Sequence, residues 1–435
     1  MAPGEHSGEQ VAAAPFAEMA PVTADSAIQA ESSGLRHTFR ALRHRNFRLF
    51  IIGQVVSLVG TWMQNVAESW LVYRLTHSEL LLGTAWFCSQ IAVFALGPLG
   101  GLAADRFSRH KLVVITQTAA MVQAFVLAAL TLTGTIRVWH LLALAGLLGV
   151  INAFDMPGRQ ALVIQMTGRD DLINAISLNS ATFNAARVLG PAVAGLVVAA
   201  VGEGICFLLN GVSFLAVIGC LLAMRLPRFE RPAPQSPWSH LTDGFRYAWR
   251  HRPVRRMLAL MGAACLSGTP VMVLIPVFAD ALFHRGSRGL GFMMGAMGIG
   301  AVAGTLLLAR RTKVSSLPRV MVMSGIGVGI SYLAFAFSPS FWISLAIMPI
   351  IGFFVMQQLA SANTTIQTLI EDAFRGRVMA IYAMTVVGLL PFGSLTSGAL
   401  AGHFGPRPTV AAGGLLAIIA AAAFGRSLKR RAIAA

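Results

Sequence analysis

Four ionisable side chains, Glu68, Asp155, Arg159 and Arg187, fall inside or at the edge of long apolar runs in this 435-residue chain. A charge in hydrocarbon costs at least ~2.5–3.5 kcal/mol, so such groups pair with one another or serve proton and ion movement. Arg187 is the one cation deep in a run. Counting ~1.5 Å per helical residue from the outer ends puts Arg187 ~20 Å down and Asp155 ~24 Å down, on neighbouring antiparallel segments. Asp155 is therefore the expected partner of Arg187 by depth, with Arg159 and Arg109 competing for it. A structural pair and a transport role both fit. Glu68, ~10 Å below Arg74, is the only acid well inside the first run. It fits a proton carrier, and equally a polar group near the outer mouth.

Further polar groups lie in the apolar runs. Gln64, Asn65, Asn152, Gln357 and Asn363 are candidates for a substrate path, and Gln54, Asn210 and Gln358 are others that line a path or join helices. Nothing points to a cofactor or a metal. The four cysteines, Cys88, Cys206, Cys220 and Cys265, are unpaired in spacing and read as buried small hydrophobes. The histidines lie in the tail, the loops or the ends of runs. No Gly-x-x-x-x-Gly-Lys-Ser/Thr phosphate loop occurs. Acids, bases and metal ligands are too few and too scattered for an enzyme.

The elements that must hold these residues follow from composition. The chain is 56% hydrophobic and 12% charged, with mean hydropathy +0.69. Soluble domains carry about 25% charged residues, so this is an integral membrane protein. Runs of ~20 apolar residues match one helical crossing, and about twelve can be read; the short alternating segments of a barrel are missing. The expected spans include Phe47–Leu75, Trp139–Asp155, Leu172–Val201, Gly204–Met224 and Thr409–Ser427.

Of 34 Lys and Arg residues, 28 fall on one side under this topology, five on the other (Arg74, Arg137, Arg285, Arg288, Arg407), and Arg187 inside. That asymmetry puts both termini in the cytoplasm and explains the net charge of +17 by topology and anionic lipid, with no nucleic-acid partner needed. Residues 1–38 read as a disordered tail. Residues 39–225 read as one six-helix bundle and 226–253 as a Pro-rich linker with an amphipathic helix. A second bundle covers 254–427, and 428–435 form a basic tail.

The halves repeat. Sliding the chain by 203 residues superposes eight glycines, among them Gly83 on Gly286, Gly195 on Gly398 and Gly202 on Gly405. Chance would give roughly two. Six spans per half make the repeats parallel. Between the second and third spans stands Gly101-x-x-x-Asp105-Arg106-x-Ser108-Arg109-His110-Lys111. It resembles the loop signature of the major facilitator superfamily, with Ser108 where that pattern has Gly. Repeat, basic linker and loop agree over about Phe39–Ser427.

The resemblance implies an all-α fold of two parallel six-helix repeats with a site between them, lined by spans one, four, seven and ten. It implies a conformational latch in which Asp105, with Gly101, Arg106, Arg109 and Lys111, meets the start of the eleventh span near Arg375 and Arg377. A carboxylate at a helix N-terminus gains ~0.3–1 kcal/mol, which supports such a contact. Gly190-Pro191 with Gly195 resembles the fifth-span signature of antiporters and exporters, and serves helix packing. Asp155-Met-Pro-Gly-Arg159, Asn174–Asn179 and Arg375-Gly-Arg377 resemble a branch containing enterobactin-type siderophore exporters and related drug or secretion carriers.

The expectation is a secondary active, proton-coupled exporter of small amphipathic molecules, working by alternating access. It is expected as a monomer in a bacterial inner membrane, with the bilayer, a small-molecule substrate and a proton as partners. The alternatives are a lysophospholipid flippase of the same fold and a non-transporting membrane sensor.

Overall fold

The computed structural model describes residues 40–168, 171–226, 246–310, 316–370 and 372–434. The expected tail, 1–38, and most of the linker with its amphipathic helix lie outside the described residues; only a helical stretch over 246–250 is seen. After a 3-10 turn at Arg40–Arg43 come α1 (Arg45–Thr76), α2 (Glu79–Arg106), α3 (Arg109–Leu132), α4 (Val138–Thr167), α5 (Leu172–Val201) and α6 (Glu203–Leu222). The second set is α7 (Arg252–Val277), which ends in a wider π-turn at Phe278–Leu282, α8 (Gly286–Ala309), α9 (Leu317–Ala336) and α10 (Phe341–Leu369). The eleventh crossing is made by α11 (Asp372–Gly388) and α12 (Leu390–Phe404), and the last by α13 (Pro406–Ala434). Among the described residues, twelve crossings are long and apolar enough to span a bilayer.

Two element ends differ from the sequence expectation. α4 runs past Asp155 and through Pro157 to Thr167. A proline is tolerated in a membrane helix when its neighbours satisfy the freed backbone, and the charges expected to end the span pair with each other instead. α13 continues to Ala434, beyond the expected stop at Ser427.

Local chemistry sets the starts and stops. Ser78, Ser108 and Ser340 accept hydrogen bonds from the first turns of α2, α3 and α10. Ser108, the residue that departs from the superfamily loop pattern, thus has its own task as an N-cap. Gly202 (φ +86°) and Gly405 (φ +88°) turn α5 into α6 and α12 into α13, in a backbone region that side chains with a Cβ disfavour. The two positions are repeat-related.

Packing carries the same symmetry. α2 lies against α4 as α8 lies against α10, α3 against α6 as α9 against α13, and α1 against α6 as α7 against α13. The two sets meet along two seams, α5 with α8 and α2 with α12. A Cβ at Gly195 would stand 2.8 Å from Gly291 Cα, and one at Gly398 would stand 3.1 Å from Gly83 Cα, so both seams close only on small residues.

The seams do not run the full depth. One apolar core unites both sets toward the end away from the termini, joining Trp70, Leu82 and Val198 with Leu274, Leu290, Phe335 and Ala401. Toward the basic end the core divides. Phe47, Val113, Leu162 and Leu221 cluster in the first set. Met257, Met321, Ile366, Val378 and Phe424 cluster in the second. There, Cβ atoms at Gly97 and Gly101 of α2 would meet nothing within 4 Å. The two sets thus share one core at the end away from the termini and keep separate cores at the basic end.

Candidate functional site

Asp155 sits on α4 at 1% exposure, among three helices. Thr116 and Gln117 of α3 donate to its Oδ1 at 2.7 and 2.9 Å, and Arg159 Nε meets Oδ2 at 2.6 Å. Arg159 then donates to Gln54 of α1 at 3.0 Å. The expected Arg187–Asp155 pair is not formed. Arg159, one turn away on the same helix, is within reach at no cost in distance, and α3 supplies the remaining donors. Arg109, the other expected competitor, donates to the Ala161 carbonyl at 3.5 Å.

Arg187 has no ion pair and no hydrogen bond among the described residues. Its guanidinium lies 5.9 Å from the Trp62 ring of α1, and Phe183 packs edge-on to that ring at 5.8 Å. The packing motif sets this up. Gly190 lets α5 close on Trp62 and Val59 of α1, while Pro191 and Gly195 face Gly291 of α8. Glu68 is buried at 9% exposure and has no hydrogen bond or ion pair among the described residues. Thr61, Asn65 and Glu68 follow helical spacing along one side of α1, and the first two are half-buried.

Two of the candidate path residues are placed elsewhere. Gln64 is 1% exposed, accepts from Asn210 of α6 at 2.6 Å and donates to Gln123 of α3 at 3.0 Å. Gln357 is also buried, and donates to the Gly304 carbonyl of α8 at 3.1 Å. Both hold helices together, because an amide inside the bundle finds its partners on the nearest helix. Asn65, Asn152 and Asn363 are half-buried, and Asn363 accepts from Gln367 at 2.8 Å.

Among the latch residues, Asp105 and Arg106 end α2 exposed, and Asp105 has no partner among the described residues. Lys111 is exposed on α3, and Arg377 lies 5.5 Å from the Phe374 ring. The side chain of Arg375 lies outside the described residues.

A family model described as transmembrane secretion effector matches residues 36–434, nearly the whole chain. The chain belongs to this family of the major facilitator superfamily. Among its relatives, the staphyloferrin A transporter of Staphylococcus aureus (strain NCTC 8325 / PS 47) is 26% identical over 362 residues, covering 82% of this chain and 90% of the relative. The enterobactin exporter EntS of Shigella boydii serotype 4 (strain Sb227) is 24% identical over 376 residues, covering 85% and 89%. A bacterial homologue of the human lysosomal transporter Spinster, solved inward-facing and unoccupied, shares the fold at TM-score 0.66 with 15% identity, covering 88% and 96%. The chain is a twelve-span membrane transporter of small molecules, and not an enzyme.

Two charge clusters of this transporter carry no signal in spacing alone. At the outer end Arg74 closes on Glu203 of α6 at 2.8 and 3.3 Å. At the basic end Asp171, the residue before α5, gathers Arg40 (2.9 Å), Arg43 (2.7 Å) and His44 (2.7 Å). The Ala41 N–H donates to Asn174 beside it at 2.9 Å. The hydrogen bond with His44, then Arg40 and Arg43, hold the Asp171 carboxyl below its ordinary value against the opposing effect of desolvation. A depressed carboxyl contributes stability above its unfolded pKa of about 3.9 and loses it as pH falls through the folded value. Asp171→Asn is therefore expected to free the Arg40–Arg43 turn at neutral pH. In the parent the turn should stay protected until pH falls below the carboxylate range, as read by amide hydrogen exchange. Equal protection in parent and variant would contradict the tie.

Proposed function

We propose that the chain is a proton-coupled exporter of small amphipathic molecules, seated as a monomer in a bacterial cytoplasmic membrane with both termini inside. Cargo enters from the parted basic end, and the two six-helix sets then rock about the seams to open the outer end. The observation that carries this reading is the division of one shared core into two toward the basic end. Seams of glycine against glycine can slide and part with little loss of interlocked side chains, as rocking needs. Glu68 is offered as the proton-carrying group. Enterobactin and staphyloferrin A, named for the relatives, are the first cargoes to test. In everted membrane vesicles, an imposed proton gradient is expected to drive one of them inward, and dissipating the gradient should stop it. Uptake indifferent to the gradient would overturn proton coupling.

Asp105 is offered as half of a latch made only when the basic end closes. Its exposure, with no partner among the described residues, fits a parted end. Asp105→Asn is expected to slow turnover about tenfold while leaving cargo affinity within about twofold, because it loses a charge-to-helix contact in one state only. Turnover equal to the parent would remove the latch.

A further inference from the structure

Arg187 lacks what a cation at this depth needs. The acid expected to neutralise it is elsewhere: Asp155 is taken by Arg159, and Glu68 makes no ion pair among the described residues. Its direction is fixed by its helix. Leu189, Val193 and Leu196 are exposed on roughly the opposite side of α5, the side an apolar solvent would cover. Arg187 instead points between α1, through Trp62, and α8, which reaches its backbone at Gly298. That wedge lies on the seam where α5 of one set meets α8 of the other. Phe183, 43% exposed, lies on this side one turn nearer the open end, with Ser180 exposed and Asn184 half-buried beside it.

We propose that Arg187, Trp62 and Phe183 form a subsite for the anionic group of an amphipathic, ring-bearing cargo. This deepens the exporter reading and rests on it. A planar guanidinium offers a forked set of donors to a carboxylate, and it keeps its charge in a semi-enclosed site. The Trp62 face steadies that cation while no anion is bound. Trp62 and Phe183 together present apolar ring surface next to the charge, so a carboxylate joined to a ring fits where a bare anion or a neutral hydrocarbon satisfies only half the site. The cargo supplies the missing counter-charge, which makes occupancy cheaper than vacancy for Arg187.

The test uses the full chain in lipid nanodiscs and two probes that differ in one group, dansyl-glycine with a free carboxylate and dansyl-glycinamide without it. Binding is read as energy transfer from tryptophan to the dansyl group. The parent is expected to bind the carboxylate about tenfold or more tighter than the amide, the scale of one charge-assisted pair. Arg187→Gln should bring the ratio to near one by weakening the carboxylate alone, and Arg187→Lys should keep part of the preference. A parent with no preference, binding of neither probe, or a Gln variant that keeps the ratio each overturns the subsite. Should the Gln variant fail to fold, the parent ratio and its reduction in the Lys variant still decide. A gradient that drives neither probe while the ratio holds would defeat proton-driven export and leave the subsite standing.

Discussion

Glu68→Gln is expected to abolish gradient-driven accumulation of cargo, by about a hundredfold or more, while exchange of cargo across a membrane without a gradient continues. The glutamine keeps the size and hydrogen-bonding shape of the side chain but can neither take nor release a proton. Glu68 occupies a position few acids could hold otherwise. It is buried, has no cation partner among the described residues, and lies on α1 beside the core that both sets share away from the termini. A carboxyl group there is shielded while the outer end is closed and would meet outer water once the core parts. Thr61 and Asn65, on the same side toward the basic end, give a polar track to it. Reconstituted vesicles with and without a gradient separate the two processes. Gradient-driven accumulation that survives in Glu68→Gln would dismiss Glu68 as the proton carrier.

The largest effect on stability is expected at Asp155. Removing one member of a buried ion pair leaves the other uncompensated, at a cost of about 3–5 kcal/mol. Asp155→Ala would strand Arg159 and orphan the amide of Gln117, while the Thr116 hydroxyl would keep the Val113 carbonyl. A sharp fall in melting temperature in detergent should follow. The double change Asp155→Leu with Arg159→Leu should recover most of it, because apolar replacement of both partners removes the unpaired charge. A double variant no more stable than Asp155→Ala would contradict the pairing.

The fold was legible because its causes are long-ranged in sequence. Twelve apolar runs and a 203-residue glycine period leave few alternatives to two parallel sets of six helices. The repeat even reached the seams, since Gly195 and Gly398 stand on the two main ones, α5 with α8 and α2 with α12. The site was less legible, for a physical reason. Depth along a helix can be counted from its ends, but the azimuth at which a side chain leaves it depends on which neighbour packs there. Asp155 and Arg187 match in depth, yet Asp155 faces α3 and its own Arg159, whereas Arg187 faces α1 and α8. Gln64 and Gln357 were legible only in part: their polarity was visible, and the partners they hold, Asn210, Gln123 and the Gly304 carbonyl, were not. Asp171 escaped notice because its three partners sit more than 120 residues earlier, with nothing in spacing to connect them.

The most direct test of two rocking sets is a pair of distances measured by pulsed electron spin resonance. The four native cysteines, all free, would first be replaced by serine. One pair of labels goes at Phe107 and Ala380 near the basic ends of α2 and α11, and the other at Leu132 and Phe337, at the opposite ends of α3 and α9; all four positions are exposed. On acidification with cargo present, the basic pair should shorten by several ångströms while the outer pair lengthens. If both distances stay fixed, or both change in the same sense, the two sets do not exchange one opening for the other.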